Sequence, residues 1–338
     1  MSLLAIEIEQ NSKVSKVDQV VQSLVYNIEK GNLARGERLL SISEFSKAYK
    51  ISRDTVEKAY KVLKEEGYIE AIPGKGNYIA DKKDTKLKVL LLFNKLSSYK
   101  KNVYYAFVET LGKKAKVDLQ IYHYDSDLFR EIVEESLGKY HYFVVMPYFL
   151  RRGKEIDGAE LLKLIPEDEL ILLDKDIPSL GDKHGAVYQD FDQDIYQALE
   201  SDFKLLEKYH TVTLVFPPEK NYQKDISKGI ARFSFDYDKD FVEVASLAEV
   251  EPQAKSLYIT LSEADLADLI NKIKKTSLVV GKDVGIISFN DTVLKGLLNI
   301  SVVTTDFEKM GSTAANFILK KQTQQIRNPF HLLKRGSL

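Results

Sequence analysis

Apolar residues in the first eighty positions repeat at helical spacing, whereas those beyond position 87 cluster in short runs. Val17, Val20, Val21, Leu24, Val25 and Ile28 recur every one to four residues up to Gly31, which predicts an amphipathic helix. Ser41 and Glu44 have capping-box spacing, so a second, short helix is expected after Ser41 with Phe45 and Ala48 facing inward. A third helix opens at Ser52, places Val56, Ala59, Tyr60 and Leu63 on one stripe, and stops at Gly67. Residues 68–72 and 77–80 flank the turn Pro73-Gly74-Lys75-Gly76 and read as a hairpin. Three helices and a hairpin within residues 13–80 make a winged helix-turn-helix plan. Residues 1–12 show neither period and are expected to form an arm. Residues 81–86 hold no apolar side chain and are expected to be a linker.

Over residues 87–338 the pattern changes. Apolar runs at 89–93, 142–146, 170–173, 212–216, 257–259, 284–289 and 300–303 are separated mostly by amphipathic stretches such as 265–273. Strands alternating with helices predict parallel sheets covered on both faces. The segment is longer than one such sheet requires, so a two-lobed α/β domain is expected.

Charge and composition narrow the chemistry. Residues 13–80 contain 12 Lys and Arg against 9 Asp and Glu, in a chain whose net charge is −1. The excess of positive charge therefore lies in the winged-helix segment. With no cysteine, disulfides, thiolate nucleophiles and cysteine-ligated metals are excluded. The five histidines, at 123, 141, 184, 210 and 331, have no metal-ligand spacing, and no metal or cofactor is expected. There is no nucleophile elbow, and Gly281-Lys282 and Gly74-Lys75-Gly76 lack the spacing of a phosphate loop. No leader pattern and no apolar run near the ~20 residues of a membrane span occurs, so a cytoplasmic protein without membrane contact is expected.

A helix-turn-helix presents the N-terminus of its second helix to the major groove. Here that end carries Ser52, Arg53 and Thr55, with Lys58 one turn on. Ser52 can cap the helix and meet a phosphate, Arg53 can donate bidentately to guanine or phosphate, and Thr55 offers a hydroxyl. Lys75 between two glycines can follow the minor groove. Gly31, Gly36, Leu39, Ser43-Glu44-Phe45, Ser52 to Val56, Leu63 to Ile69 and Gly74-Lys75-Gly76 together resemble the GntR family of bacterial regulators. The resemblance covers residues 13–80 and implies DNA contact from Ser52, Arg53, Thr55, Gly74 and Lys75. Ser43 stands where many members carry a DNA-contacting arginine, Leu40 where a proline is common, and Glu57 where a basic residue is frequent.

The stretch from Val284 to Thr292, followed by 302–307 and 310–314, places polar side chains at the end of a buried strand, where ligands of open α/β sheets sit. It resembles the periplasmic-binding-protein-like effector domain of LacI-type regulators. A GntR-type head on such a body resembles arabinose-type and fucose-operon regulators. The resemblance suggests pocket roles for Asp174, Tyr188, Asp190, Asn290 and Asp291, with Asp174 and Asp190 equally suited to helix capping. Asn94, Tyr99 and Lys100 follow the first strand of the body and are expected at the cleft. Lys224 and Ser262 fall near positions where sugar-responsive relatives carry an arginine and an Asn-Asp pair. The function expected is a homodimeric repressor of a carbohydrate-utilisation operon. It would bind double-stranded operator DNA with an affinity that changes when a monosaccharide-like effector enters the cleft. An α/β enzyme and a protein-recruiting sensor are the alternatives.

Overall fold

The computed structural model describes residues 14–80, 86–151, 153–217, 223–248 and 250–338. The expected arm and all but the last residue of the expected linker lie outside them. The head comprises α1 (Lys16–Lys30), α2 (Ile42–Tyr49), α3 (Arg53–Glu65) and the antiparallel pair β1 (Ile69–Ile72) and β2 (Gly76–Ile79). Each helix begins on a serine cap, Ser15, Ser41 or Ser52, and Ser41 with Glu44 forms the full capping box. Val20, Leu24, Phe45, Val56, Tyr60 and Leu63 close around one core. Leu40, in place of the common proline, packs on that core, and its carbonyl accepts from Tyr60 Oη at 2.8 Å. One expectation needs correction: Ala48 is exposed. Tyr49 packs inward instead, its ring 4.5 Å from that of Phe45, because the helix ends in a left-handed turn at Lys50 after only two turns.

The first lobe is built from β3 (Leu87–Phe93), α4 (Ser98–Leu111), β4 (Ala115–Ile121), α5 (Ser126–Ser136), β5 (Tyr142–Val145), the small hairpin β6 (Phe149–Arg151) and β7 (Lys154–Ile156), α6 (Ala159–Leu162), β8 (Leu170–Asp174) and β9 (Gly185–Tyr188). The second holds α7 (Phe191–Glu200), α8 (Phe203–Leu206), β10 (Thr211–Val215), α9 (Lys224–Asp236), β11 (Asp240–Val244), β12 (Ser256–Thr260), α10 (Glu263–Ile273), β13 (Val284–Phe289), α11 (Val293–Leu297) and β14 (Ser301–Thr305). Helix α12 (Phe307–Lys320) and β15 (Gln325–Arg327) return to the first lobe, and β16 (Phe330–Leu333) ends in the second. Strand orders are β15-β9-β8-β5-β3-β4, all parallel, and β11-β10-β12-β13-β14-β16, with β16 alone antiparallel. Central strands such as β3 and β13 are buried on both faces, as parallel sheets under helices must be.

The chain thus passes between lobes three times, at Gln189, Asp306 and Asn328. Asn328, 2% exposed, lies at their junction. Its Nδ2 is within hydrogen-bonding distance of Gln189 Oε1 (2.8 Å), the Asp306 carbonyl (3.1 Å) and the Pro329 carbonyl (3.2 Å). The Asp306 N–H donates to the Pro329 carbonyl at 3.0 Å. These bonds bundle the crossings into one hinge.

Helices α4 and α12 pack so closely that a Cβ on Gly311 would stand 2.3 Å from the Val103 carbonyl oxygen. Gly311→Ala should therefore destabilise the first lobe by about 1–3 kcal/mol through overpacking. A lowered urea midpoint is the expected reading, and an unchanged midpoint would contradict the contact.

Candidate functional sites

The N-terminal end of α3, where the DNA contacts are expected, is pre-formed. Ser52 Oγ accepts from the Thr55 N–H at 3.1 Å and lies 2.7 Å from Thr55 Oγ1, so both hydroxyls are held at the helix mouth beside exposed Arg53. Lys58 pairs with Asp54 at 2.7 Å, an exposed contact worth little that a phosphate can displace. Ser43 is exposed near the start of α2. Lys75 is at the exposed wing tip between Gly74 (φ +74°) and Gly76 (φ +112°), left-handed positions that require glycine. Arg38, which no motif singles out, lies beside the wing. It is exposed, bridges to Tyr78 of the wing, and its guanidinium would be 3.5 Å from a Cβ on Gly76.

On its other side the head is seated on the first lobe. Tyr26, Glu29 and Lys30 share one face of α1. Lys30 Nζ reaches Glu169 Oε1 (2.8 Å) and Asp168 Oδ2 (2.9 Å), and Tyr26 Oη donates to the same Glu169 carboxylate. Glu29, nearly buried, accepts from Tyr68 Oη at 2.8 Å and lies 3.5 Å from Lys88 Nζ. His141 accepts the Lys88 N–H on Nδ1 (2.8 Å), so its proton belongs on Nε2, 3.4 Å from Glu29. Burial, with Lys88 and Lys30 close by, pulls the His141 pKa down to about 4 and keeps it neutral. The Tyr26 ring stacks on His141 with centroids 5.3 Å apart. Lys321 at the end of α12 donates to the Lys30 carbonyl at 3.0 Å. The residues involved on the lobe precede or open β3, β5 and β8. The head therefore sits at the N-terminal edge of that sheet.

At the opposite edge a cleft of about 280 Å³ opens between the lobes. Its walls include Asn94, Tyr99, Lys100, Tyr148 and Asp174 from the first lobe and Ile226, Phe289 and Asn290 from the second. The volume is near the lower end of small-molecule pockets, ~300–1,000 Å³. Asp174 (φ +72°) ends β8 and Asn290 (φ +60°) follows β13, both in the left-handed conformation that Asp and Asn tolerate best. Lys295 holds the second turn by donating to the carbonyls of Phe289 (2.7 Å) and Asn290 (2.9 Å). Tyr148 Oη donates to Asp174 Oδ2 at 2.9 Å. Tyr99 stacks on Phe307 with centroids 5.4 Å apart, which joins the first turns of α4 and α12 beside the cleft.

Of the residues expected there, Asn94, Tyr99, Lys100, Asp174 and Asn290 come together. The others are not among the residues that line it. Asp190 is exposed and caps α7, and Ser262 caps α10 by accepting the Asp265 N–H at 3.1 Å. Lys224 is exposed at the start of α9, where Gln223 and Ile226 line the cleft instead. Tyr188 belongs to the hinge, its carbonyl accepting from the Asn328 N–H at 2.7 Å. Asp291 is held bidentately by Arg335, both contacts at 2.8 Å. Tyr124, Tyr148 and Phe307 also line the cleft. They lie after strand ends or at a helix start and have no motif of their own.

A winged helix on a two-lobed, periplasmic-binding-protein-like body defines a DNA-binding transcription regulator. Residues 16–79 match the profile described as "Bacterial regulatory proteins, gntR family". The chain is 32% identical over 107 residues to the HTH-type transcriptional repressor YtrA of Bacillus subtilis, spanning 31% of this chain and 82% of that protein. It belongs to the GntR family of bacterial regulatory proteins. It is also 26% identical over 208 residues to the HTH-type transcriptional regulator TreR of B. subtilis, spanning 61% of this chain and 77% of TreR. The fold of the body matches a LacI family transcriptional regulator from Arthrobacter sp. FB24, solved in complex with lactose. That match has a TM-score of 0.58 at 14% identity and covers 75% of this chain and 99% of the other. No helix among the described residues is long and apolar enough to cross a membrane.

The split between cleft and scaffold can be measured. Asp291→Ala should strip Arg335 of its bidentate partner and cost about 1–2 kcal/mol, the pair being part-exposed. The expected result is a lowered urea midpoint. No change would mean that Asp291 does not support the C-terminal end and remains available to a ligand.

Proposed function

We propose that the protein is a cytoplasmic homodimeric repressor of a carbohydrate-utilisation operon, whose affinity for double-stranded operator DNA changes when a small sugar-like effector enters the interlobe cleft. The observation that carries this reading is the placement of head and cleft at opposite edges of one sheet, with a three-strand hinge beside the cleft. Effector contacts from Asn94, Tyr99 and Asp174 on one lobe and Asn290 on the other would favour the closed arrangement. Amides and a carboxylate suit vicinal hydroxyls, and the aromatic rings suit the apolar face of a sugar. The lactose bound by the Arthrobacter regulator and the repressor role of YtrA support the same reading. Binding without turnover is the reading that the relatives support, since they are transcription regulators.

The second copy is expected on α11. Val293, Leu294, Leu297 and Leu298 are 81, 62, 77 and 58% exposed, an apolar patch of the kind that marks protein association. Two heads are needed to span two operator half-sites. With the heads on the first lobes and the contact on the second, lobe closure changes the distance between heads. Ser52, Arg53 and Thr55 would enter the major groove, with Ser43 and Lys58 beside them, and Gly74 and Lys75 would follow the adjacent backbone.

Arg53→Ala should abolish specific binding to the DNA upstream of the protein's own gene, tested by titration at matched salt. Unchanged affinity would sink the assignment of α3. Leu294→Glu with Leu297→Glu should yield a monomer in sedimentation velocity, and a persisting dimer would place the contact elsewhere. Glu29→Ala should leave DNA affinity nearly intact but remove its response to effector, by loosening the seat of the head. An undiminished response would show that the signal takes another path.

A further inference from the structure

The cleft has an asymmetry of charge. Lys100, in the first turn of α4, is 8% exposed. Its hydrogen-bond acceptor is the neutral Asn94 Oδ1. Its ammonium also stands 5.8 Å from the centroid of the Tyr148 ring. The carboxylate that acts on it is Asp174, already engaged by Tyr148 Oη at 2.9 Å. Burial draws the Lys100 pKa down to about 8, against the pull of Asp174 and with Lys95 adding to the fall. Glu155 of the same wall is neutralised by Lys175 at 2.8 Å. The first-lobe wall therefore keeps two ammonium groups, Lys95 and Lys100, against one carboxylate, Asp174. On the facing wall the described lining residues, among them Gln223, Ile226, Leu261, Phe289 and Asn290, are uncharged; Glu263 and Asp291 lie near enough to act on Tyr99, and Asp291 is paired with Arg335.

Closing the apolar and amide side chains of that lining over Lys100 removes water from an ammonium whose one nearby carboxylate, Asp174, is already engaged by Tyr148, which opposes closure. A neutral polyol leaves that cost in place. An anionic group on the ligand offsets it, because a charge-assisted bond to Nζ is shorter and about twice as strong as a neutral one. Lys95, exposed at the rim above Tyr124, can add a second contact to the same group.

Resting on the reading of the cleft as the effector site, we infer that the effector is an acidic sugar derivative, its anionic group seated against Lys100 and Lys95 and its hydroxyls toward Asp174 and Asn290. Carboxylate and phosphate share this chemistry, and the test separates them. Thermal shift and calorimetry on the full chain compare three probe sets: hexuronates, hexose 6-phosphates and the parent neutral hexoses. Millimolar inorganic phosphate against chloride at matched ionic strength serves as the minimal probe. Phosphate is expected to raise the melting temperature of the wild type and to lose that increment in Lys100→Met, with circular dichroism checking the fold. Lys95→Met, at an exposed site, gives a smaller loss and serves if Lys100→Met fails to fold. One acid set is expected to bind at least about tenfold more tightly than its neutral parents, as a single charge-assisted contact implies. A better uronate assigns a carboxylate and a better hexose phosphate assigns a phosphate. Equal phosphate shifts in wild type and variants, or no shift, overturn the inference. So does a neutral hexose that binds as tightly as its acid, a result that leaves the cleft as the effector site. Sugar binding of either kind that survives Asn290→Ala undiminished sinks the cleft reading itself, and the inference with it.

Discussion

A buried amide, Asn328, gathers the three chain crossings between the lobes, and the arrangement of the body depends on it. Its Nδ2 faces Gln189 on the first crossing and the carbonyls of Asp306 and Pro329 on the other two, while its N–H closes on Tyr188. Gln189 is itself fixed by Asp194 at 2.6 Å, and Asp194 by Arg327 at 2.7 Å. Each lobe has its own apolar core, with Leu91, Phe107 and Met310 in one and Leu199, Ile230 and Ile259 in the other. Few interactions besides the crossings need to change when one lobe rotates on the other. A rigid pair of lobes joined at one polar node is the form of a hinge.

The head gains its meaning from this node. Its seat pairs Tyr26 and Glu29 of α1 with Lys88, His141 and Glu169 of the first lobe alone, so in the proposed regulator head and first lobe would move as one body. Breaking a buried charged cluster by removing one partner strands the others, which favours keeping the seat intact through a domain motion. The exposed apolar face of α11 belongs to the second lobe. In the proposed dimer the moving boundary therefore lies between the part that reads DNA and the part that joins the copies. A small rotation at Asn328 becomes a displacement at the heads.

The sequence made much of this legible, and the omissions have physical causes. The helices of the head announced themselves through serine caps and apolar stripes, and β3, β5, β8, β12 and β13 through continuous apolar runs, because they are buried on both faces. Strands β4 and β11 escaped notice because they lie at sheet edges, where Lys116 and Asp118, or Asp240 and Glu243, interrupt the apolar pattern. Strands β15 and β16 are short and return from a distant part of the chain, which no local period reveals. Of the cleft-lining residues, Asn94 and Asn290 were legible because strand ends in α/β sheets point there, and Asp174 through the resemblance to LacI-type regulators. Asp190 and Asp291 have the same local signature but are engaged as a helix cap and an Arg335 partner, which only the fold decides. Tyr148 and Phe307 reach the cleft from a loop and from the start of the helix after a crossing, positions fixed by topology.

The measurement that bears most directly on this account is footprinting of the DNA upstream of the protein's own gene, at low salt, with the wild-type chain. Two protected half-sites related by a two-fold axis, separated by about one helical turn or a multiple of it, are predicted. Protection that covers a single half-site, or none that survives competition by unrelated DNA, would contradict a paired, operator-reading regulator.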